Sequence, residues 1–248
     1  MTPHSLFVVF EGIDGSGTTT QRRILAHTMQ MRGAKVLETA EPSTSSFGLL
    51  IRQYLRGEVP PASPHVMAAL FAADRALHIE TIIDPALRRG EVVICDRFVL
   101  SSLAFQVATG VPREYVLQLN HRFYSPDLTV LLTVDPEEAV RRISERGPIP
   151  ELFEKQDLLR RVQDNYLSEV GRMPEVVRCE SPVPKPGFVQ VDTGRTFLLQ
   201  AADLVVAALD EVCPDEFDKS YPLRSEEAVA AALDEIRLEA LDKTRPTA

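Results

Sequence analysis

Short apolar, β-branched or aromatic runs alternate along this 248-residue chain with longer stretches of helical period. Five runs read as strands, at 6–10, 35–38, 92–95, 128–133 and 188–191. Several are almost continuously apolar, the pattern of strands covered by helices on both faces rather than on one. Strand and helix patterns in alternation predict βαβ units around a parallel sheet, hence an α/β fold.

The intervening stretches carry helix signals. One helix is predicted over 18–32, closed by Gly33 as a C-cap. Phe47, Leu50, Ile51, Tyr54 and Leu55 form a helical stripe that ends at Gly57. Ser63 before Pro64 offers an N-cap with proline at the first helical position, opening a long helix towards Arg89. Pro136 opens another helix to about Arg146, and a further one follows the break at 147–150. A helix over about 196–212 completes a main domain at 1–212. Beyond Cys213-Pro214 the pattern changes to a linker and one amphipathic helix at about 225–243, which sets 213–248 apart.

Composition narrows the function classes. Hydrophobic residues make up 44% and charged residues 25%, as in an ordinary globular protein. A net charge of −9 argues against a nucleic-acid polymer as partner, since a phosphate backbone requires a basic stripe. Cys95, Cys179 and Cys213 are odd in number and widely spaced, which fits neither a disulfide frame nor a metal site. No run is long enough for a membrane span, so the expectation is a cytoplasmic protein with no membrane partner.

The clearest chemistry lies where the first strand meets the first helix. Residues 7–10 run into Glu11-Gly12-Ile13-Asp14-Gly15-Ser16-Gly17-Thr18-Thr19, a strand, glycine-rich turn and helix start in direct succession. That is the context of the phosphate-cradling pattern G-x-x-x-x-G-K-[ST]. Backbone N–H groups and the helix N-terminus then face an anion. Thr19 falls where a hydroxyl would ligate Mg²⁺. Thr18 stands where the pattern has lysine.

Asp96 and Arg97 end the third strand run, at the edge where parallel sheets gather ligands. Asp96 is placed to share the Mg²⁺ shell, and Arg97 to hold a phosphate bidentately. Phe71 and Arg75 share a helix face, where a ring that stacks on a base would sit beside a fork that donates to it; core packing is the alternative for Phe71. Ser101, Ser102, Phe105 and Gln106 form one helical patch after the Asp–Arg pair. Arg141, Arg142 and Arg146 precede Gly147-Pro148, either as a solvated helix end or as a lid over about 146–155.

Taken together, these stretches resemble the thymidylate kinase family. The matching segments are FEGIDGSG at 10–17, Glu41-Pro42, Gly48 with Ile51-Arg52, LFAADR at 70–75, PALRRG at 85–90, ICDRF at 94–98, SSLAFQ at 101–106, SPDLTVLLTVDPEEAVRR at 125–142 and Val191-Asp192. The resemblance implies a P-loop NTPase three-layer fold with a five-stranded parallel sheet, usually in a homodimer. It implies Mg²⁺-assisted, ATP-dependent phosphorylation of dTMP to dTDP, a step in dTTP synthesis. Gly12, Ile13, Asp14, Gly15, Ser16, Gly17, Thr18 and Thr19 would hold the ATP phosphates, with Asp14 near the sugar and the metal. Phe71 would stack on thymine and Arg75 would donate to its carbonyl. Arg97, helped by Arg52, would hold the dTMP phosphate, Ser102 and Gln106 would line the base and sugar pocket, and Glu41 would belong to the substrate-binding set. Arg146 would act on the transferring phosphate.

Three positions depart from the family pattern: Thr18 for lysine, Ala40 where arginine is common, and Phe98 for tyrosine or histidine. With the lysine gone, the lid arginines, Arg146 first, are the expected substitute charge. The alternatives are a nucleotide-binding or regulatory homologue with impaired catalysis, or a kinase for another nucleoside monophosphate.

Overall fold

The computed structural model describes residues 5–145, 156–170, 172 and 187–192. Its centre is a five-stranded, fully parallel sheet in the order β2-β3-β1-β4-β5. The strands are β1 (Leu6–Gly12), β2 (Val36–Ala40), β3 (Val92–Asp96), β4 (Leu128–Thr133) and β5 (Gly187–Asp192), each within two residues of its sequence expectation.

Alternation along β1 divides the core. Leu6, Val8 and Phe10 face one way, against Leu25, Ala26 and Met29 of helix α1 (Thr18–Met31). Phe7 and Val9 face the other way, against Ile79, Ile83, Ala86 and Phe98. All seven β1 residues are buried, which explains the uninterrupted apolar run.

The long helix expected from Ser63 onward is continuous in path but not in winding. Helix α3 (Pro64–His78) passes through a π-turn at Ile79–Ile83 into α4 (Asp84–Arg88). Pro85 supplies the reason: proline has no N–H to donate and its ring collides with the carbonyl four residues back, and the wider π-turn relieves both. Ser63 caps α3 as expected, its Oγ accepting from the Val66 N–H at 3.3 Å.

Helix α5 (Val99–Ala108) is marked in the sequence only by its patch at 101–106, and helix α6 (Arg113–Asn120) lies beyond what periodicity revealed. Helix α5 is buried almost all round, with Leu100 to Gln106 inside, so no polar stripe marks it. The helical patch noted at 101–106 lies within it. Helix α2 (Ser46–Leu55) follows β2, α7 (Pro136–Ser144) follows β4, and α8 (Gln156–Val170) packs on α5. The helices expected at 196–212 and 225–243, and the segment at 146–155, lie outside the described residues. Among the described residues no helix is long and apolar enough to cross a membrane.

The order 2-3-1-4-5 makes β1 the point where the chain turns from one half of the sheet to the other. In open parallel sheets a crevice opens there, at the carboxyl ends of the strands. Hydrogen bonds beyond the ladder tie this edge together: Arg97 N–H to the Phe10 carbonyl at 2.8 Å, and Glu41 N–H to the Asp96 carbonyl at 2.9 Å. The residues following β1, β2 and β3 therefore converge on one rim.

Candidate active site

The β1–α1 connection has the shape its glycines foretell. Gly12 has φ 151°, and a Cβ there would lie 2.5 Å from the Leu132 carbonyl oxygen. Gly15 has φ 84°, and a Cβ there would lie 2.7 Å from the Ala139 carbonyl oxygen on α7. No side chain fits at either position without backbone movement. Ile13 turns its side chain into the core beside Leu131, so only its backbone serves the loop.

Gly17 is the N-cap of α1 and offers no side-chain acceptor to the first-turn amides, whereas Ser45, Ser63 and Asp135 cap α2, α3 and α7. Those amides and the helix dipole are left for an anion. Ser16 is buried within the loop, Asp14 is about one-third exposed, and Thr19 is exposed on the first turn of α1.

Arg97 dominates the rim. It is the one non-glycine residue at positive φ among the described residues, 69°, a conformation that persists only where surroundings enforce it. Its Nη2 donates to Asp14 Oδ1 at 2.5 Å and its Nη1 to the Gly12 carbonyl at 3.1 Å. The guanidinium also lies 4.7 Å from the centre of the Phe105 ring. Burial alone would favour the neutral form, but Asp14, Tyr166, Asp96 and Glu11 more than offset it and hold Arg97 firmly charged.

Behind Arg97 stands Glu11, wholly buried. It accepts from the backbone N–H groups of Phe98 and Ser101 at 3.0 and 3.2 Å, from Ser101 Oγ at 2.5 Å and from Tyr166 Oη at 3.0 Å. Burial pushes its carboxyl above the usual range, against the lowering effect of Ser101 and Arg97. Glu11 thus braces the rim from within. Tyr166 joins α8 to this point, and nothing in its local sequence signals that.

Asp96 is half-buried beside the loop with its Oδ1 shut off from solvent, and that desolvation raises its carboxyl too, opposed chiefly by Arg97 and Arg22. The Thr18 hydroxyl nearby also acts to lower it. Its Oδ1 has no hydrogen-bond partner among the described residues. A buried carboxylate oxygen left open at a phosphate-type loop is the donor a divalent cation or its water shell takes, so these residues fit Mg²⁺.

A second group of candidate residues sits on and around α3. Phe71 is half-buried and joins none of the four apolar clusters. Arg75 is turned into the protein. Only 1% exposed, it engages all three guanidinium nitrogens within the protein: Nε with Glu41 Oε2 at 2.8 Å, Nη1 with Ser102 Oγ at 2.9 Å and with Asn120 Oδ1, and Nη2 with the Phe98 carbonyl at 2.8 Å. Glu41 also meets His78 Nδ1 at 3.2 Å. Arg52, half-buried on α2, donates to the Pro42 carbonyl. Gln106 is buried with Oε1 unpartnered among the described residues. Of the basic cluster, Arg142 reaches the Gly15 carbonyl at 3.3 Å, while Arg141 pairs with Glu138 and Glu145 on the surface; Arg146 lies outside the described residues.

Comparison with known proteins follows the same line. The family model described as thymidylate kinase matches residues 10–181. A probable thymidylate kinase of Pyrococcus horikoshii is 44% identical over 174 residues, covering 68% of this chain and 85% of that protein. One from Pyrobaculum calidifontis is 42% identical over 201 residues, 81% of this chain and 94% of that protein. Another from Methanococcus maripaludis is 34% identical over 209 residues, 84% and 97% respectively.

Proposed function

The chain belongs to the thymidylate kinase family, and from that premise we propose an enzyme that transfers the γ-phosphoryl group of ATP to dTMP, giving dTDP and ADP. The observation that carries this reading is the convergence on one rim of an uncapped, glycine-shaped phosphate loop, Arg97 at positive φ against Asp14, and the open Oδ1 of Asp96.

Phosphoryl transfer asks little covalent chemistry of a protein; it asks for positioning and for charges that meet the phosphate oxygens. The backbone of Gly12 to Thr19 holds the ATP phosphates with N–H groups and the α1 dipole. Asp96 and Thr19 would hold Mg²⁺, which when bound would neutralise charge developing on the phosphate oxygens. Arg97 holds the dTMP phosphate, with Arg52 beside it on α2. Asp14 keeps Arg97 aimed and lies near the sugar. Ser102 and Gln106 line the base and sugar side, and Arg75 sets that wall by locking Ser102, Glu41 and the Phe98 carbonyl. Arg146, in a lid at about 146–155, acts on the transferring group. The enzyme is cytoplasmic and homodimeric, and takes part in dTTP synthesis.

Chromatography of reaction mixtures tests the reading. dTDP is expected only when ATP, Mg²⁺ and dTMP are all present. Equal or greater conversion of another nucleoside monophosphate would reassign the substrate.

Phe71→Ala is expected to raise KM for dTMP by an amount equivalent to about 1–3 kcal/mol, the worth of a ring stacked on a base, while leaving Tm nearly unchanged. A large fall in Tm with KM unaltered would mean the ring serves packing. A chain ending at Val212 is expected to keep its kcat, since 213–248 lies outside the catalytic domain; a folded but inactive protein would place part of the site in the tail.

A further inference from the structure

The guanidinium of Arg97 is a planar fork of N–H donors, and the protein uses its two sides unequally. On the Nη1 side it meets three oxygens: the Gly12 carbonyl at 3.1 Å, Ser101 Oγ at 3.4 Å and Tyr166 Oη at 3.4 Å. Nη2 gives one hydrogen to Asp14 Oδ1 at 2.5 Å. Nε donates to no acceptor among the described residues. The donors left for a ligand therefore lie on the Nε–Nη2 side, while Nη1 is turned to the protein. A phosphate takes two such donors at once, provided the fork is held in the right plane.

Tyr166 reaches this point from α8 and is fully buried. Its Oη donates to Glu11 Oε2 at 3.0 Å and lies 2.8 Å from Ser101 Oγ. With its proton given to Glu11, the phenol oxygen turns its lone pairs towards Nη1. The ring adds a second hold. It meets Phe105 edge-on, with centroids 6.2 Å apart at 88°, and Phe105 is the ring beneath the Arg97 guanidinium. The hydroxyl is not what docks the helix. Asn165 Nδ2 donates to the Ala104 carbonyl of α5 at 3.0 Å, and Glu169 accepts from Arg113, the first residue of α6, at 2.6 and 2.8 Å. Leu159, Val162 and the Tyr166 ring pack in one apolar cluster with Ala104 and Phe105. Contacts on both sides of Tyr166 thus set α8 in place, and the phenol oxygen is delivered to Arg97 by a helix already fixed.

We propose that Tyr166 is a positioning residue for acceptor binding: its hydroxyl pins Nη1 of Arg97 against the protein, so that the Nε–Nη2 side is presented to the phosphate of dTMP. An arginine side chain loses much rotamer freedom when it is fixed, and fixing it beforehand removes that cost from the binding step. The tyrosine acts through the arginine alone. The proposal rests on the reading of Arg97 as the residue that holds the dTMP phosphate.

The test is equilibrium binding of dTMP, and of thymidine, which lacks the phosphate, to the full-length protein without ATP. Tyr166→Phe removes one oxygen from a helix that other contacts hold, so the fold is retained. It is expected to weaken dTMP about tenfold, the worth of one hydrogen bond to a charged group, and to leave thymidine within about twofold. Arg97→Ala is expected to weaken dTMP more strongly. Tyr166→Phe added to Arg97→Ala is expected to cost less than about a further twofold, since the group through which it acts is gone. A purely structural Tyr166 predicts another pattern: both ligands weakened alike, and the same loss with or without Arg97. Either result overturns the proposal. So does a Tyr166→Phe protein that binds dTMP like its parent while Arg97→Ala does not. A parent that binds dTMP no better than thymidine, or an Arg97→Ala protein that binds dTMP normally, would instead overturn the underlying reading of Arg97.

Discussion

Arg97→Ala is expected to lower kcat/KM for dTMP by on the order of 10² to 10³-fold, with ATP affinity in the absence of dTMP within a few-fold of the parent. The size follows from the surroundings. Arg97 is held at φ 69° with its guanidinium between Asp14, the Gly12 carbonyl and the Phe105 ring, and it is charged at any working pH. A cation fixed this firmly needs no reorganisation when a phosphate arrives, which is the condition under which one donor is worth several kcal/mol. Removing it also leaves Asp14 and the buried Glu11 without their neighbouring positive charge, adding repulsion to the lost attraction. Steady-state kinetics on the variant measures the effect. Normal turnover of dTMP would detach Arg97 from the acceptor phosphate.

Arg75→Ala is expected to cost stability first, by about 3–5 kcal/mol, because it strands the buried Glu41 carboxylate without its cation. For a domain of this size that corresponds to a Tm fall on the order of 10 °C, read by differential scanning calorimetry. Ser102, Asn120 and the Phe98 carbonyl lose their shared donor together. Glu41→Gln in the Arg75→Ala background is expected to recover part of the loss, since the stranded charge goes with it. A residue that donated mainly to a base would behave differently: its loss would raise KM for dTMP and leave Tm in place. The two outcomes separate a pocket wall from a direct substrate contact.

The contrast between these arginines shows what the chain discloses and what it withholds. Arg97 sits at the end of an unbroken apolar run, Val92 to Cys95, so its place at the carboxyl edge of a parallel sheet followed from pattern alone. The phosphate loop was legible for the same reason, being a strand, closely spaced glycines and a helix start in sequence. Arg75 was legible as a helix-face partner of Phe71, but not its inward turn. Its acceptors are 23 to 45 residues distant, and Asn120 lies on α6, a helix that periodicity did not reveal. Tyr166 is further still, 155 residues from Glu11. Local spacing carries no information about such pairings, because tertiary packing alone brings the groups together. The π-turn is an intermediate case: Pro85 was visible in the predicted helix, and its steric demand is what unwinds one turn.

Thr18 bears most directly on whether the site is catalytic. Asp14, Arg97 and the loop glycines keep the geometry a phosphate requires even with threonine at this position. The decisive measurement is kcat for dTMP with saturating ATP and Mg²⁺, taken on protein whose ATP affinity has been determined separately. A value in the range of about 1–100 s⁻¹ typical of kinases is expected. ATP bound with ordinary affinity but turnover below about 10⁻³ s⁻¹ would contradict it, and would make this chain a nucleotide-binding protein that kept the pocket without the chemistry.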